Sequence, residues 1–412
     1  MGSGQRYEVF EPPAHVEAIR GDLLGLAFPM EEYRGRYRRV QQMIADAGLD
    51  YLFSTYLPPI CWITGYETLA AGAPVALVIP AEGEPTLMTD DFEAFNTLTS
   101  SWVEDVVTFP WAGNTTSALI DLARDRGWAG KRLGWDYNRM AVDVFQGVSD
   151  AIDAEWVQTR NVLEEARSQK SPAEIDRIRR AGRLTVLGIQ AAREAIRPGA
   201  IDTDIANAAY DAIIGGGSER MGLQPIVTVG MRSGIPHTTF RRIPIEAGES
   251  ILMEFGACMN RYTAPMIRAG FLGQPNNPLW VEMWEACKDA VENTIRLIRP
   301  GAEVTPLAEE ASRLLYSLPE GVYVDGNRGY SMGLSFPAAW GDCPGLQIAT
   351  EQYLPSPRPA SYATLKPGHT FHVRAMARHV GFAGVGVSET VTVTEDGAEV
   401  LTSNTRELAI VE

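Results

Sequence analysis

The pentapeptide Ile196-Arg-Pro-Gly-Ala200 returns as Ile298-Arg-Pro-Gly-Ala302, an offset of 102 residues, and an internal repeat constrains the possible folds more than any composition does. Each copy closes one helical stretch and precedes another, Asp202–Ile214 and Thr305–Leu318. A second pair follows in the same order. The run from Ala247-Gly248 to Glu254 matches the run from Pro367-Gly368 to Arg374 at an offset of 120 residues. Each half therefore reads helix, Arg-Pro-Gly-Ala, helix, Gly-rich loop and strand. Such a duplication predicts a pseudo-twofold domain whose matching strands meet around a cleft, with Glu254 and Arg374 in equivalent places.

The start of that domain is legible at Ser171-Pro-Ala-Glu174. Ser171 suits a helix N-cap, Pro172 the first helical position, and Glu174 completes a capping box. A helix is predicted from there to about Ile196, opening a domain over 169–412. Upstream, residues 31–168 alternate helical and apolar runs: a helix from Glu31 stopping at Gly48, apolar runs at Asp50–Thr55, Val75–Ile79 and Thr86–Met88, and helices at Thr116–Arg126 and Val142–Ala151. That alternation predicts an α/β domain. Residues 1–30, with Pro12-Pro13 and little periodicity, read as an arm packed on another subunit.

Charge narrows the partners. Of 412 residues, 52 are Asp or Glu against 36 Lys or Arg, a net charge of −16, which disfavours nucleic acid, whose binding needs cationic neutralisation of phosphates. No apolar run reaches the ~18 residues of a membrane span, and the N-terminus lacks an apolar signal core. Cys61, Cys258, Cys287 and Cys343 are scattered, as reduced thiols of a cytoplasmic protein are, not as a disulfide or zinc frame.

These landmarks resemble the pita-bread family of methionine aminopeptidases, Xaa-Pro peptidases, prolidases and creatinases. The two-domain members match better, over about Glu31 to Val411. His237, the Glu254 strand, Tyr262 to Arg268, Gly329 to Leu334, the Pro367-Gly368 strand and Gly386 to Glu389 follow in family order. The resemblance implies an α/β N-terminal domain and an α+β pita-bread domain. The family's peptidases hold two metals with two Asp, one His and two Glu. Carried onto this chain, those positions are Glu254, Pro265, Tyr330, Arg374 and Glu389. Proline offers no side-chain donor and arginine repels a cation, so neither metal nor other cofactor is expected. Arg328-Gly-Tyr330 to Trp340-Gly341, with Arg261-Tyr262, Pro265 and Arg268, is most similar to the ectoine hydrolase branch, while the creatinase-type glutamate position holds Ile267.

On this resemblance His237 is the general base, since a neutral imidazole can take a proton from water near neutrality. Glu389 and Glu254 are the other catalytic candidates. Alternation along Phe371–Ala375 puts His372 and Arg374 on one face. Arg374 is expected to reach Glu254 or Glu389 and hold the emptied metal site together. Substrate-binding candidates are Arg374, Arg268, Tyr262, Tyr330, His372, Trp62 and Trp340. The expected activity is metal-independent hydrolysis of a C–N bond in a small zwitterionic amidine or guanidine. Two other readings share the cleft: an elimination, rearrangement or cyclisation, and a non-catalytic binding protein derived from a peptidase. Family members with this N-terminal domain are usually dimers, so a homodimer is expected, with Trp62–Glu67 reaching the neighbouring cleft.

Overall fold

Ser171 and Glu174 form the reciprocal cap their spacing predicts. The Glu174 amide donates to Ser171 Oγ at 3.2 Å, and the Ser171 amide donates to Glu174 Oε2 at 2.9 Å. The helix they open runs Pro172–Glu194 and buries Ile178, Ala181, Gly182 and Ile189. A Cβ on Gly182 would stand 2.2 Å from the Leu401 carbonyl oxygen, so only glycine lets the C-terminal segment come this close.

The molecule is described by a computed structural model covering residues 7–412, apart from 71, 73, 112, 137–140, 160, 161, 338 and 357. It divides into two compact units, Met1–Arg167 and Ser168–Glu412.

In the second unit the duplication becomes two long antiparallel hairpins. The first pairs Ser250–Met259 with Tyr262–Leu272; the second pairs Thr370–His379 with Ala383–Val393. The first strands are 120 residues apart and the return strands 121. The turns explain the extra residue. Asn260 and Arg261, at φ 49° and 68°, make a two-residue connection of the kind that suits strand twist. The second hairpin turns through Val380, Gly381 and Phe382, with Gly381 at φ 86°.

The return strands lie side by side: Thr390 Oγ1 donates to the Pro265 carbonyl at 2.9 Å, and the Ile267 amide donates to Ser388 Oγ at 2.6 Å. Helix Pro172–Glu194 packs on the first hairpin and carries Asp202–Gly215 on its side; Leu279–Leu297 packs on the second and carries Val304–Ala311. The helix expected over Thr305–Leu318 stops at Ala311. There the Ser312 hydroxyl donates back to the Ala308 carbonyl at 2.6 Å, competing with helix continuation.

The first unit is a seven-stranded mixed sheet in the order Glu8–Val9, Asp105–Phe109, Thr86–Asp90, Val75–Pro80, Tyr51–Ser54, Arg132–Trp135, Glu155–Gln158. The expected arm needs correction. Its first six residues lie outside the described ones, but Glu8–Val9 pairs antiparallel with Asp105–Phe109. It covers an edge of its own sheet, satisfying backbone groups that would otherwise stand open.

Candidate active site

Strand alternation selects the side chains that reach a cavity of about 380 Å³ in the second unit. Along Thr370–His379, Val373, Ala375 and Ala377 enter the hydrophobic core, while Arg374, Met376 and Arg378 face the cavity. Leu252 and Glu254 reach it from the first hairpin, Tyr330 from the strand paired with Thr370–His379, and Trp340 from the segment after that strand. His237 stands at its rim, exposed, on a backbone with φ 54°. That left-handed conformation costs an ordinary residue about 1–2 kcal/mol and sets where the ring points.

The cavity is crowded with charge. Asp325 accepts from Arg374 Nη1 at 3.0 Å and from Arg328 Nη2 at 3.2 Å. Burial alone would raise its pKa, but the Arg374 and Arg328 guanidiniums, with their hydrogen bonds, hold it below the usual carboxylate range. Glu254 behaves in the opposite way. Burial pushes its pKa up, Arg374 and Arg378 pull it back only partly, and no described residue forms a hydrogen bond or ion pair with its carboxylate.

Behind the cavity wall, His372 is fully buried between Tyr330 and Ser388, with Nδ1 2.7 Å from Tyr330 Oη and Nε2 2.6 Å from Ser388 Oγ. Burial and then Arg374 keep its pKa well below the ordinary value, so the ring is neutral. Ser388 Oγ also accepts the Ile267 amide, so the Ile267 amide, Ser388, His372 and Tyr330 form one hydrogen-bonded chain that ends at the cavity.

Of the residues named from sequence, the structure brings His237, Glu254, Arg374, Tyr330 and Trp340 together. It places the others elsewhere. Glu389 is 0% exposed and fully engaged: Oε1 accepts from Arg268 at 2.7 Å and Arg406 at 2.9 Å, and Oε2 from Thr402 at 2.6 Å. It is a buried structural ion, and Arg268 is its partner, not a cavity cation. The Tyr262 hydroxyl donates to Glu174 Oε1 at 2.7 Å, fastening the first hairpin to the capping box instead of meeting a ligand. His372 supports Tyr330 from behind. Trp62 is 2% exposed inside the first unit, where Arg36 lies 5.3 Å from its ring centroid and donates to its carbonyl at 3.0 Å. Arg374 also departs from expectation, because its hydrogen-bonded carboxylate is Asp325.

Asp325 and Arg378 were not singled out from the sequence. Arg378 lies two alternations beyond Arg374 on one strand, a signal available to anyone extending the pattern. Asp325 sits in a loop before Asn327–Ser331, where no periodicity points to it.

The donor set does not fit the two-metal centre of the family's peptidases. Pro265 has no side-chain donor, Arg374 brings a cation, and Glu389 is consumed by two arginines and a threonine. Among the described residues, no group of three or more His, Cys, Asp or Glu is disposed to hold a metal ion.

Two family models match the chain: "Metallopeptidase family M24" over residues 176–395 and "Creatinase/Prolidase N-terminal domain" over 36–169. The chain is 26% identical over 411 residues to the ectoine hydrolase of Halomonas elongata, covering 94% of this chain and 99% of that one. Among solved structures it resembles dipeptidase PepE from Mycobacterium ulcerans, with a TM-score of 0.78 and 21% identity over 93% of this chain and 99% of that one. An Xaa-Pro dipeptidase from Bacillus anthracis gives a TM-score of 0.76 at 20% identity, covering 92% and 100%.

Proposed function

The chain belongs to metallopeptidase family M24, and from that membership we propose that it is a hydrolase of a C–N bond in a small zwitterionic amidine or guanidine, working without a two-metal centre. One observation carries the reading. The cavity holds an uncommitted carboxylate, Glu254, together with guanidiniums, the pairing that a ligand with a cationic and an anionic end would complete. Similarity to an ectoine hydrolase supports it, since ectoine is a cyclic amidine bearing a carboxylate.

In this reading Glu254 faces the amidinium nitrogens and a guanidinium holds the carboxylate. His237, whose side chain forms no hydrogen bond with any described residue, takes a proton from water as the oxygen attacks the amidine carbon. The resulting imidazolium returns the proton to the departing nitrogen as the C–N bond breaks. Tyr330, in the cavity lining, hydrogen-bonds the attacking water and orients it, in place of a Lewis acid. The proposed homodimer is a separate matter, answered by light scattering.

The test is incubation of the purified protein with ectoine and with Xaa-Pro dipeptides, with and without a chelator. The expected product gains the elements of water, survives chelation, and is lost in His237→Asn and Glu254→Gln. Metal-dependent cleavage of the dipeptides, with ectoine untouched, overturns the proposal, and a product of unchanged mass moves it to a rearrangement.

A further inference from the structure

Two guanidiniums, Arg374 and Arg378, and two carboxylates line this cavity, with the buried Arg328 behind Asp325, and the pairing is uneven. Asp325 serves both Arg328 and Arg374. Glu254 lies close enough to Arg374 and Arg378 for each to stabilise its charge, yet it forms no ion pair with either among the described residues. That leaves Arg378. It is only 9% exposed, its buried Nε has no hydrogen-bond partner, and its Nη2 meets only the Met376 sulfur at 3.3 Å. A thioether is a weak acceptor and carries no charge. A guanidinium so far removed from water, which feels Glu254 and Asp325 only through space and hydrogen-bonds to no carboxylate among the described residues, is costly, and it lines the cavity.

We propose that Arg378 is the carboxylate anchor of this cavity, and that Arg378 and Glu254 together select small substrates carrying a carboxylate at one end and an amidinium or guanidinium at the other. The proposal rests on the zwitterionic reading above and assigns its anionic end. Arg378 Nη1 forms no hydrogen bond with any described residue and its Nη2 meets only a thioether, which leaves the two-nitrogen end of the guanidinium for a carboxylate to take in bidentate fashion. Arg374 is less suited, because one of its donors is committed to Asp325. The two arginines are four residues apart on one strand, roughly 13 Å at Cα. They therefore serve different parts of the cavity: Arg374 beside Tyr330, whose ring centroid lies 5.9 Å away, and Arg378 further along toward the strand end.

Calorimetric titration with ω-guanidino acids of two to four methylenes, and with their carboxamides, tests this. Wild-type protein should favour at least one acid over its amide by tenfold or more. Arg378→Gln should erase that preference by weakening the acid while leaving the amide within about twofold. Arg378→Lys should restore part of it, and Glu254→Gln should weaken acid and amide alike. A preference that survives Arg378→Gln and disappears in Arg374→Gln overturns the assignment to Arg378 and leaves the zwitterionic reading standing. Equal binding of acid and amide by the wild type, or no binding of any acid, removes the zwitterionic reading itself. If Arg378→Gln lacks a folding transition, Arg378→Met, which replaces the buried charge by an apolar chain, carries the same comparison.

Discussion

Replacing Glu389 by alanine separates a structural ion from a catalytic one. Glu389 and Arg268 have side-chain exposures of 0% and 2%, and their charged atoms are 2.7 Å apart. With the carboxylate gone, Arg268 keeps three carbonyl acceptors, on Ile267, Ser388 and Thr405, but no counter-charge. Arg406 and Thr402 also lose a partner. Breaking a buried pair from one side costs about 3–5 kcal/mol. For a unit of this size that lowers the melting temperature by roughly 6–20 °C. Guanidinium chloride unfolding followed by near-UV circular dichroism measures the loss. The double variant Arg268→Met/Glu389→Leu should recover most of it, because apolar isosteres of a buried pair are often neutral or better. If Glu389→Ala unfolds within about 0.5 kcal/mol of wild type while turnover vanishes, the structural assignment is wrong and Glu389 returns to the reaction.

Three further outcomes follow from the same geometry. Tyr262→Phe removes a buried hydroxyl that donates to a carboxylate and should cost about 1.5–3 kcal/mol, read by chemical denaturation. Glu254→Gln should stabilise the folded protein at neutral pH. Its raised pKa means the native state resists ionisation, so the advantage is absent below the ordinary carboxylate range and grows as pH rises through the shifted value; melting curves of variant and wild type that run parallel across that range would contradict it. His369 is 1% exposed, and burial, followed by Lys170 and Lys366, lowers its pKa to about 3. The unfolded chain therefore takes up a proton that the folded one refuses. Stability from this residue is intact above about pH 6.5 and falls by about 1.4 kcal/mol per unit as pH drops toward 3. His369→Asn, whose amide oxygen can still accept from the Lys366 backbone as Nδ1 does at 3.2 Å, should flatten that acid limb.

The sequence by itself determined the duplication, the capping box at Ser171 and the equivalence of the Glu254 and Arg374 strands, because each is a pattern along the chain. An N-cap three residues before a glutamate and a period-two alternation act over a few residues, and a repeat is read by laying one stretch of chain on another. Which charges meet which was not local. Glu389 finds Arg268 across 121 residues, and Arg374 finds Asp325 across 49. Tyr262 finds Glu174 across 88. An aligned strand position says that a side chain points inward, but not whether it reaches the cavity or is intercepted by a counter-charge on the way. Only the tertiary structure decided that Glu389 is consumed and Glu254 is not. The physical reason is that a buried ion takes the nearest opposite charge the fold supplies, and the fold sets that distance by bringing distant segments together.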